Sequence, residues 1–575
     1  MRFVPVVDVI LANAERWPCR ASLIQDEGTG PVQQLTYAEL AIAVKAGGAA
    51  IRARGWSGQR VGLLFSPGIE VAVAMLACLA ADAVAVPIAP TGRRRERLAN
   101  VVAILRDCAP AVVLHDAVMG RQYGSELDAA AAACDVALWD WRDLEMTETD
   151  AVSTPAAPGD LAILQYTSGS TSRPKGVMIT HGNISANQQM IRTAFGHDEN
   201  SSFVGWAPHF HDQGLFGNIL QPLFLGTTAV LASPAAFIQR PLMWIELVGR
   251  YGAHTSGGPD FAYALCVEHA ERRGLPAVDL SGWRVAFNGA EPIRETTMAR
   301  FSACFGAIGF RPESFLPCYG LAECTLLATG RRSSLPPILR TVETDATTEL
   351  DGVKAVCCGP ATDHCDVRIV DAGTGVAQPD GEAGEIWLAG PHVAAGYWGQ
   401  PADETFMATL ATGEGPFLRT GDIGTVTPEG LYVIGRAKDL IIVRGRNFAP
   451  SDVEQVWEQL ADRAGPAPSA AVQVEHDGRS HVVLVAEIDR AGRQDDSAPG
   501  DEVERWAAAL RQAALHRLDL SVSDLILVPP AAIPRTTSGK IRRAAVRQAI
   551  TEGAVPIVAA AGPLAGRLMA AAAAQ

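Results

Sequence analysis

The stretch RVGLLFSPGIEVAVAMLACLAADAVAVPIAP, residues 60–90, indicates the fold class of this protein. The run RVGLLF predicts a strand, the longer apolar segment that begins at Gly68 predicts a buried helix, and AVAVPIAP predicts a second strand. A strand, a helix and a strand in this order form a unit in which the two strands run parallel. The stretch therefore predicts an α/β fold.

The same alternation continues along the first half of the chain. Short apolar runs recur as AAVVLHD, AILQY, TTAVLA and WRVAFNG. Such alternation predicts mostly parallel sheets with helices on both faces. After about Cys357, short strands with glycine-rich turns predict a small antiparallel β unit, and a compact α+β pattern follows it. We expect a large N-terminal domain, residues 1–437, that includes the β unit, and a small mobile α+β C-terminal domain, residues 438–575.

The composition is globular and excludes several classes of protein. The 575 residues are 48% hydrophobic and 19% charged, and their formal net charge of -15 disfavours nucleic acid as a partner. Eleven scattered cysteines without a C-x-x-C pair predict reduced thiols and a cytoplasmic location. No uncharged apolar run reaches about 18 residues, so we expect no stable membrane insertion. The alanine-rich tail predicts a disordered or surface-helical end, with a docking element as the alternative.

The segment TSGSTSRPKG, residues 167–176, nearly spells a phosphate-binding Walker loop. Pro174 stands where that loop has its second glycine, and Gly176 stands where it has Ser or Thr. Strand patterns lie on both sides of the segment, whereas a Walker loop opens a helix directly. The setting predicts a β-loop-β hairpin whose hydroxyls, amides and Lys175 hold phosphate; taken alone, it could also be a mobile Gly/Ser hairpin.

Further motifs follow in order. They are FNGAEPI at 287–293, YGLAEC at 319–324, LRTGDIG at 418–424 with GRAKD at 435–439, and PRTTSGKIRR at 534–543. Together with the loop they resemble the adenylate-forming superfamily, which includes acyl-CoA ligases, luciferases and nonribosomal peptide adenylation domains. The resemblance covers about residues 5–548. It implies an enzyme that joins a carboxylate to ATP, giving an acyl adenylate and pyrophosphate.

The resemblance implies a set of nucleotide-binding residues. The loop over the β- and γ-phosphates would consist of Thr167, Ser168, Gly169, Ser170, Thr171 and Lys175. The adenine pocket would be formed by Asn288, Gly289, Ala290, Glu291, Tyr319 and Gly320. The ring of Tyr319 would stack on the base, Asp422 would accept the ribose hydroxyls, and Arg436 would lie near them. Without the resemblance, Tyr319 could be an ordinary half-buried tyrosine and Asp422 a plain turn residue.

The chemistry needs no general base, because a carboxylate is already a nucleophile. What it needs is two anions held together and stabilisation of charge on the transferring phosphorus. The resemblance implies that Lys540 supplies that charge, that Glu323 holds Mg²⁺, and that His211 lies between ATP and the acyl tunnel. Asp439 matches the hinge of the mobile domain. Alternatively, His211 could belong to a metal site within WAPHFHDQG.

Several details resemble the fatty acyl-AMP ligase branch of the superfamily. These include LQYTSGST, the pattern W-x-P-x-x-H-D-x-G-L, Ala322 where acyl-CoA ligases commonly have Thr, and an insertion at about 325–356. Thr325 is a candidate to replace the hydroxyl that Ala322 lacks. The branch implies transfer of the acyl group to a separate acyl carrier protein or a polyketide or peptide synthase. The alternatives are a fatty acyl-CoA ligase and a non-catalytic binding homologue.

The substrate implied by this branch is a fatty acid, and its chain needs an apolar tunnel. The residues expected to line that tunnel are Trp206, Phe210, Phe237 and Ile238. The sequence does not specify the length or substitution of the chain.

Overall fold

The computed structural model describes residues 3–90, 95–144, 156–167, 174–332, 337, 339–342, 353–401, 404–443, 446–460, 468–476, 479–488, 499–536 and 540–573. No helix within these ranges is long and apolar enough to cross a membrane. All eleven cysteines are free thiols.

The strands are numbered here in chain order. Those before residue 320 are β1 Ala21–Gln25, β2 Gln33–Thr36, β3 Arg60–Leu64, β4 Val84–Pro87, β5 Val112–His115, β6 Ala137–Asp140, β7 Leu161–Thr167, β8 Lys175–Thr180, β9 Phe203–Gly205, β10 Ala229–Leu231, β11 Thr255–Gly258, β12 Val285–Asn288 and β13 Phe315–Pro317. Those after it are β14 Leu339–Val342, β15 Val353–Val356, β16 Asp366–Asp371, β17 Val376–Ala377, β18 Gly384–Ala389, β19 Leu418–Thr427, β20 Gly430–Arg436, β21 Ile441–Val443, β22 Arg446–Phe448, β23 Ser469–His476, β24 Arg479–Glu487, β25 Asp524–Val528 and β26 Ala559–Ala561.

The helices are numbered in the same way. They are α1 Val6–Arg16, α2 Tyr37–Ala53, α3 Ile69–Ala80, α4 Arg95–Cys108, α5 Ala117–Cys134, α6 His181–Phe195, α7 Gln221–Leu225, α8 Pro234–Gln239, α9 Leu242–Arg250, α10 Asp260–Arg273, α11 Glu295–Phe305, α12 Pro450–Leu460, α13 Pro499–Leu518, α14 Arg543–Thr551 and α15 Pro563–Ala573. A π-helix, Gln213–Leu220, leads directly into α7.

Two large sheets, both mostly parallel, confirm the predicted fold class. The first has the order β13-β12-β11-β9-β10-β1-β2, and the second has the order β6-β5-β3-β4-β7-β8; in each, one edge strand is antiparallel. The opening stretch of sequence forms β3, α3 and β4 as predicted. Helix α3 contacts strands of both sheets, and every residue in it except Glu70 is buried, which explains its apolar surface on all sides.

The carboxyl ends of β11, β12 and β13 meet at one edge of the first sheet. Gly258 pairs with Asn288, and Asn288 pairs with Pro317, so the ends of these strands are level. The motifs FNGAEPI and YGLAEC follow directly from β12 and β13. Loops at the carboxyl ends of parallel strands are the usual place for ligands in open α/β sheets, so the topology brings two of the predicted motifs together.

The predicted β-loop-β hairpin is confirmed by β7 and β8, which pair antiparallel from Leu161 with Thr180 to Thr167 with Lys175. The small β unit is also present, as an antiparallel sheet in the order β17-β16-β18-β19-β20. The strand β14 pairs antiparallel with β15 inside the segment predicted as an insertion.

The C-terminal part of the chain has its own sheet and core. The sheet has the order β23-β24-β25-β26, and the buried residues of two apolar clusters all come from residues 441–565. Helix α12 packs on β23, and α13 packs on β25 and β26.

The tail forms strand β26 and helix α15, so the helical part of the prediction is confirmed, but the tail is docked on the C-terminal sheet, as the alternative had it. Strand β26 pairs with β25, and Leu564 and Ala565 are buried. The backbone amides of Leu564 and Ala565 donate to Oδ1 of Asp524 at 2.8 and 2.9 Å, which caps the start of α15. The cap comes from 40 residues upstream, so no local pattern could reveal it.

Candidate functional site

Three motifs that are distant in sequence meet at the carboxylate of Asp422. The hydroxyl of Tyr319 donates to Oδ2 at 2.8 Å, and Nε of Arg436 donates to Oδ1 at 2.9 Å. Asp422 lies opposite Arg436 in the pairing of β19 with β20. The negative charge of Asp422 raises the pKa of Arg436. We call Tyr319, Asp422 and Arg436 the nucleotide wall.

The turn that carries Asp422 is held by Glu385, a residue that the sequence did not single out. Its Oε2 accepts from Nη2 of Arg419 at 2.8 Å and from Nε1 of Trp387 at 3.0 Å, and its Oε1 accepts from the amide of Gly421 at 3.1 Å. Glu385 is buried. A buried carboxylate with these partners is rigid, which makes Glu385 a positioning residue for the turn.

Glu323 and Lys175 approach each other through Tyr397. The hydroxyl of Tyr397 donates to Oε1 of Glu323 at 2.7 Å, and Nζ of Lys175 lies 4.4 Å from the centroid of the Tyr397 ring. Glu323 also contributes to the raised pKa of Arg436, so it faces the nucleotide wall. No sequence pattern indicated Tyr397, because it lies in none of the motifs.

The side chains of Asn288 and Glu291 have structural partners. Nδ2 of Asn288 donates to Oδ1 of Asp260 at 3.2 Å, and the amide of Phe261 donates to the Glu291 carboxylate at 2.6 Å. Burial, together with the nearby charge of Asp260, raises the pKa of Glu291 to about 7. Between these residues, Gly289 and Ala290 line a cavity.

Backbone geometry at these motifs depends on small residues. Ala290 has a φ of 71°, a conformation that costs roughly 1–3 kcal/mol for a residue with a Cβ. A Cβ at Gly320 would lie 1.7 Å from the carbonyl oxygen of Leu326. The YGLAEC motif therefore requires glycine at this position, because the chain doubles back on itself there.

The C-terminal part of the chain reaches this site through Lys540. Burial lowers the pKa of His211 to about 4, and the positive charge of Lys540 contributes to that shift. Lys540 also acts on the pKa of Glu291, in this case opposing the rise caused by burial. The charge of Lys540 therefore reaches both His211 and Glu291. Its loop is held by the amide of Thr536, which donates to the carbonyl of Lys540 at 2.7 Å.

An ion pair holds the two parts of the chain together beside Lys540. Nη1 of Arg294 donates to Oε1 of Glu458 on α12. On the other side, the amide of Arg294 and the hydroxyl of Thr297 donate to Asp260, at 3.1 and 2.7 Å. Both Arg294 and Glu458 are partly exposed, so the pair stabilises this arrangement weakly and can open.

Four residues of the predicted phosphate loop lie outside the described ranges: Ser168, Gly169, Ser170 and Thr171. The predicted hinge residue is described. Asp439 follows β20, and its amide donates to the carbonyl of Arg436 at 3.0 Å.

The role suggested for Thr325 was wrong. Its hydroxyl is fully buried and donates to the carbonyl of His392 at 2.8 Å. It faces the core and cannot replace a phosphate contact at Ala322. The residues from Thr325 to Thr329 are largely buried, so they belong to the core, although they lie inside the segment predicted as an insertion.

The expectation that Trp206, Phe210, Phe237 and Ile238 line an acyl tunnel stays a prediction. Ile238 is 55% exposed, and Trp206 stacks on Phe237 at a centroid distance of 3.9 Å within an aromatic cluster. Neither these nor Phe210 lines the cavity beside the nucleotide wall. Its apolar lining consists of Ile191, Phe195, Phe203, Phe287, Leu326 and Leu327.

The alternative of a metal site within WAPHFHDQG has no support. In the part of the chain that the structure describes, no group of three or more His, Cys, Asp and Glu residues could hold a metal ion. His209 is fully enclosed, and burial lowers its pKa to about 3. Glu323 presents a carboxylate, the hard oxygen ligand that Mg²⁺ takes together with substrate phosphates and water, so its chemistry fits that ion.

Comparison with known proteins defines the family. The AMP-binding enzyme family matches residues 10–398. The medium-chain-fatty-acid–[acyl-carrier-protein] ligase JamA of Moorena producens is 36% identical over 92% of this chain and 91% of its own length. The long-chain-fatty-acid–AMP ligase FadD26 of Mycobacterium marinum is 36% identical, over 85% and 87% of the two chains. Two further relatives, from Mycobacterium tuberculosis and Mycobacterium leprae, are 34% identical and have fatty-acid–CoA ligase in their names.

A solved structure agrees with these relatives. The fatty acyl-adenylate ligase of L. pneumophila, in complex with acyl adenylate and pyrophosphate, has a TM-score of 0.71 and 32% identity, and covers 97% of this chain and 98% of its own. This chain belongs to the AMP-binding enzyme family, in its fatty acyl-AMP ligase branch.

Proposed function

We propose that this protein activates a fatty acid with ATP, releases pyrophosphate, and passes the acyl group from acyl-AMP to a separate carrier protein or synthase. The observation that carries the proposal is the meeting of Tyr319, Asp422 and Arg436, which come from three motifs distant in sequence and are joined by hydrogen bonds. The positive charge of Lys540 also acts on His211 and Glu291, which supports a role for this cation from the C-terminal part of the chain. In this proposal the nucleotide binds at the wall and the acyl chain enters the apolar cavity.

In the proposed reaction, a carboxylate oxygen of the fatty acid attacks the α-phosphorus of ATP. A new oxygen–phosphorus bond forms, the bond from the α-phosphorus to the pyrophosphate oxygen breaks, and pyrophosphate leaves with the electron pair. Lys540 stabilises the negative charge that the two anions bring together, which is the largest kind of contribution in such transfers. His211 is neutral near pH 7 because its pKa is lowered, so it adds no competing charge.

The nucleotide wall binds and orients in this proposal. The Tyr319 ring faces the adenine, and Asp422 accepts from the ribose hydroxyls while Arg436 holds its carboxylate in place by a hydrogen bond. Thr167, Lys175 and the loop between them cover the outer phosphates. Glu323 would hold Mg²⁺, which supplies charge neutralisation on the phosphates when bound.

We further propose a division into residues 1–437 and 438–575, with Asp439 as the hinge between two orientations of the second part. The insertion would restrict that rotation and so disfavour CoA as the acceptor. In support, Ala355 of β15 packs in one apolar cluster with Tyr432 and Ile434 of β20, the strand that leads to Asp439. The eleven free thiols and the need for ATP favour the cytoplasm as the location.

The proposal is tested by measuring pyrophosphate release with ATP, Mg²⁺ and fatty acids of increasing length. Release that depends on a fatty acid is expected, and its absence for every acid would contradict the proposal. The acceptor is tested by supplying phosphopantetheinylated carrier protein or CoA in excess and separating the products by chromatography. Acyl-carrier should form; acyl-CoA as the main product would instead support the alternative of a fatty acyl-CoA ligase.

The insertion is tested with a variant in which residues 343–352 are replaced by a two-residue turn, Asn-Gly, that keeps β14 and β15 paired. Formation of acyl-AMP should be retained, and a small amount of acyl-CoA should appear, because the restraint is weakened. If the variant makes acyl-AMP at the normal rate and still no acyl-CoA, the restraint lies elsewhere.

A further inference from the structure

Polar side chains without partners lie in the wall of the apolar cavity. His197 and Gln221 both line this cavity, and they are 5% and 0% exposed. Among the described residues, Nδ1 of His197 and both amide atoms of Gln221 have no hydrogen-bond partner. A buried polar atom without a partner costs about 1–3 kcal/mol, so proteins leave few of them unexplained.

His197 is at the end of the cavity away from the nucleotide wall. Its Nε2 hydrogen bonds with Oγ1 of Thr255 at 2.9 Å, and Thr255 pairs with Phe203 and Val285 at the amino ends of their strands. Gly289, which lines the nucleotide end, follows the carboxyl end of the same strand as Val285. Val285 and Gly289 mark the two ends of the cavity. They are four residues apart along the chain, which is roughly 13 Å at the rise of a parallel strand.

The surroundings of His197 make a charged ligand at this end unfavourable. Its ring packs edge-on against Phe195 and Phe203, at centroid distances of 5.4 and 4.9 Å. Burial lowers the pKa of His197 well below its ordinary value, so the ring is neutral. The described lining residues include no Lys or Arg, and the positive charge of Arg332 reaches the His197 ring from outside this lining. A carboxylate would have no cation in hydrogen-bonding contact among these lining residues and would be costly there, so the surroundings favour a ligand group that is polar and uncharged.

We propose that the cavity selects a fatty acid with a hydroxyl group on its distal part, held by His197 and Gln221. This inference rests on the proposed adenylation of a fatty acid. A hydroxyl both donates and accepts, so it can satisfy Nδ1 of His197 in either tautomer and can also bond with the amide of Gln221. An oxo group only accepts, and a saturated chain leaves all three atoms unsatisfied.

The test compares fatty acids of equal length in the pyrophosphate release assay with the unchanged protein. One series has no substituent, one has a hydroxyl moved along the distal carbons, and one has an oxo group at the same positions. We expect kcat/KM for one hydroxy acid to exceed that of the unsubstituted acid by about tenfold or more, which corresponds to about 1.4 kcal/mol. The best position should be distal, and moving the hydroxyl by two carbons should lose most of the advantage.

Variants assign the preference to the two side chains. His197→Phe and Gln221→Leu should each remove the preference for the hydroxy acid and raise kcat/KM for the unsubstituted acid. The matched control is Gln188→Leu, which also removes a fully buried amide with an unpartnered oxygen, but from outside the cavity wall. It should keep the ranking of the acids. If His197→Phe and Gln221→Leu do not fold, the inference is tested by the kcat/KM values of the unchanged protein for the three series of acids.

The outcomes separate this inference from the proposed function. If unsubstituted acids release pyrophosphate and are preferred at every length, adenylation is supported and the inference is overturned; His197 and Gln221 then bond with buried water. A preference for the oxo acid would also overturn it. If no acid of any series supports release, the proposed function itself fails.

Discussion

The nucleotide wall and the Lys540 loop differ in how they are held. In the wall, both carboxylate oxygens of Asp422 accept hydrogen bonds, from Tyr319 and from Arg436. The carboxylate of Glu385 accepts from the amide of Gly421 and so holds the turn that carries Asp422. Beside Lys540, the contact between the two parts of the chain includes the partly exposed pair of Arg294 and Glu458. The first region is joined by hydrogen bonds among its own residues, whereas Lys540 belongs to a different part of the chain.

This difference assigns different work to the two regions. In the proposed function, a preformed wall binds the nucleotide without reorganising, because its hydrogen bonds are already made. In the same proposal, a cation on a separate part of the chain leaves after the first reaction and makes room for an acceptor. We therefore expect changes in the wall to act on ATP binding, and changes at Lys540 to act on the chemical step.

The largest effect is expected from Lys540→Ala. Adenylate formation should fall by about 10²–10³-fold, because one group that stabilises developing charge is worth roughly 3–4 kcal/mol. Carboxylate-dependent pyrophosphate release measures it, with Arg542→Ala, an exposed cation of the same motif, as the control. Turnover equal to that of the unchanged protein would remove Lys540 from the mechanism.

Asp422→Asn changes the nucleotide wall and should weaken ATP binding. The amide keeps the shape but loses the charge that pairs with Arg436, and hydrogen bonds to charged groups are worth about 1.5–3 kcal/mol. We expect ATP to bind roughly 10- to 10²-fold more weakly, measured by calorimetry. Asp366→Asn, which breaks an exposed ion pair with Arg368 on the same sheet, is the control and should not change binding. Unchanged affinity for Asp422→Asn would mean that the wall does not hold the nucleotide.

Glu323→Gln tests whether Glu323 binds Mg²⁺. A neutral amide holds a hard cation less well than a carboxylate, so the Mg²⁺ concentration for half-maximal activity should rise by about tenfold, on the order of one charge-assisted contact. The exposed Glu382→Gln is the control. A magnesium titration that superimposes on that of the unchanged protein would contradict metal binding by Glu323.

The smallest effect is expected from Glu291→Gln, which should change how the melting temperature depends on pH. Its pKa rises from 4.5 to about 7 on folding, so the folded state favours the protonated form. The resulting stabilisation is fully present below pH 4.5 and is lost as the pH rises through 7. Compared with Glu291→Gln, the unchanged protein should therefore lose more melting temperature between pH 4.5 and pH 7. The exposed Glu295→Gln is the control; equal slopes for all three proteins would show that the Glu291 carboxyl does not titrate this way.

The sequence predicted much of this fold because its patterns are local. The strand, helix and strand of residues 60–90 appear where the apolar runs placed them, and the hairpin of β7 and β8 follows from the apolar runs around its loop. The docking of the alanine-rich tail was only an alternative, since its cap, Asp524, is far upstream. Short-range periodicity contains no information about such a partner.

The candidate site was predictable where residues lie in motifs and not elsewhere. Tyr397 contacts Glu323 and Lys175 but belongs to no motif, and Glu385 acts only through the turn at Gly421. The tunnel residues stay a prediction for a different reason. An aromatic residue such as Trp206 can pack in the core or line a cavity, and one sequence does not distinguish the two.

The central claim is tested most directly by measuring ATP affinity and the single-turnover rate of adenylate formation on the same two variants, Lys540→Ala and Asp422→Asn. The division of work predicts that Lys540→Ala binds ATP within about twofold of the unchanged protein but forms adenylate about 10²–10³-fold more slowly. It predicts that Asp422→Asn binds ATP weakly and, at saturating ATP, recovers most of the rate. If Lys540→Ala weakens ATP binding as much as Asp422→Asn does, the two regions do not divide binding and chemistry, and the account is contradicted.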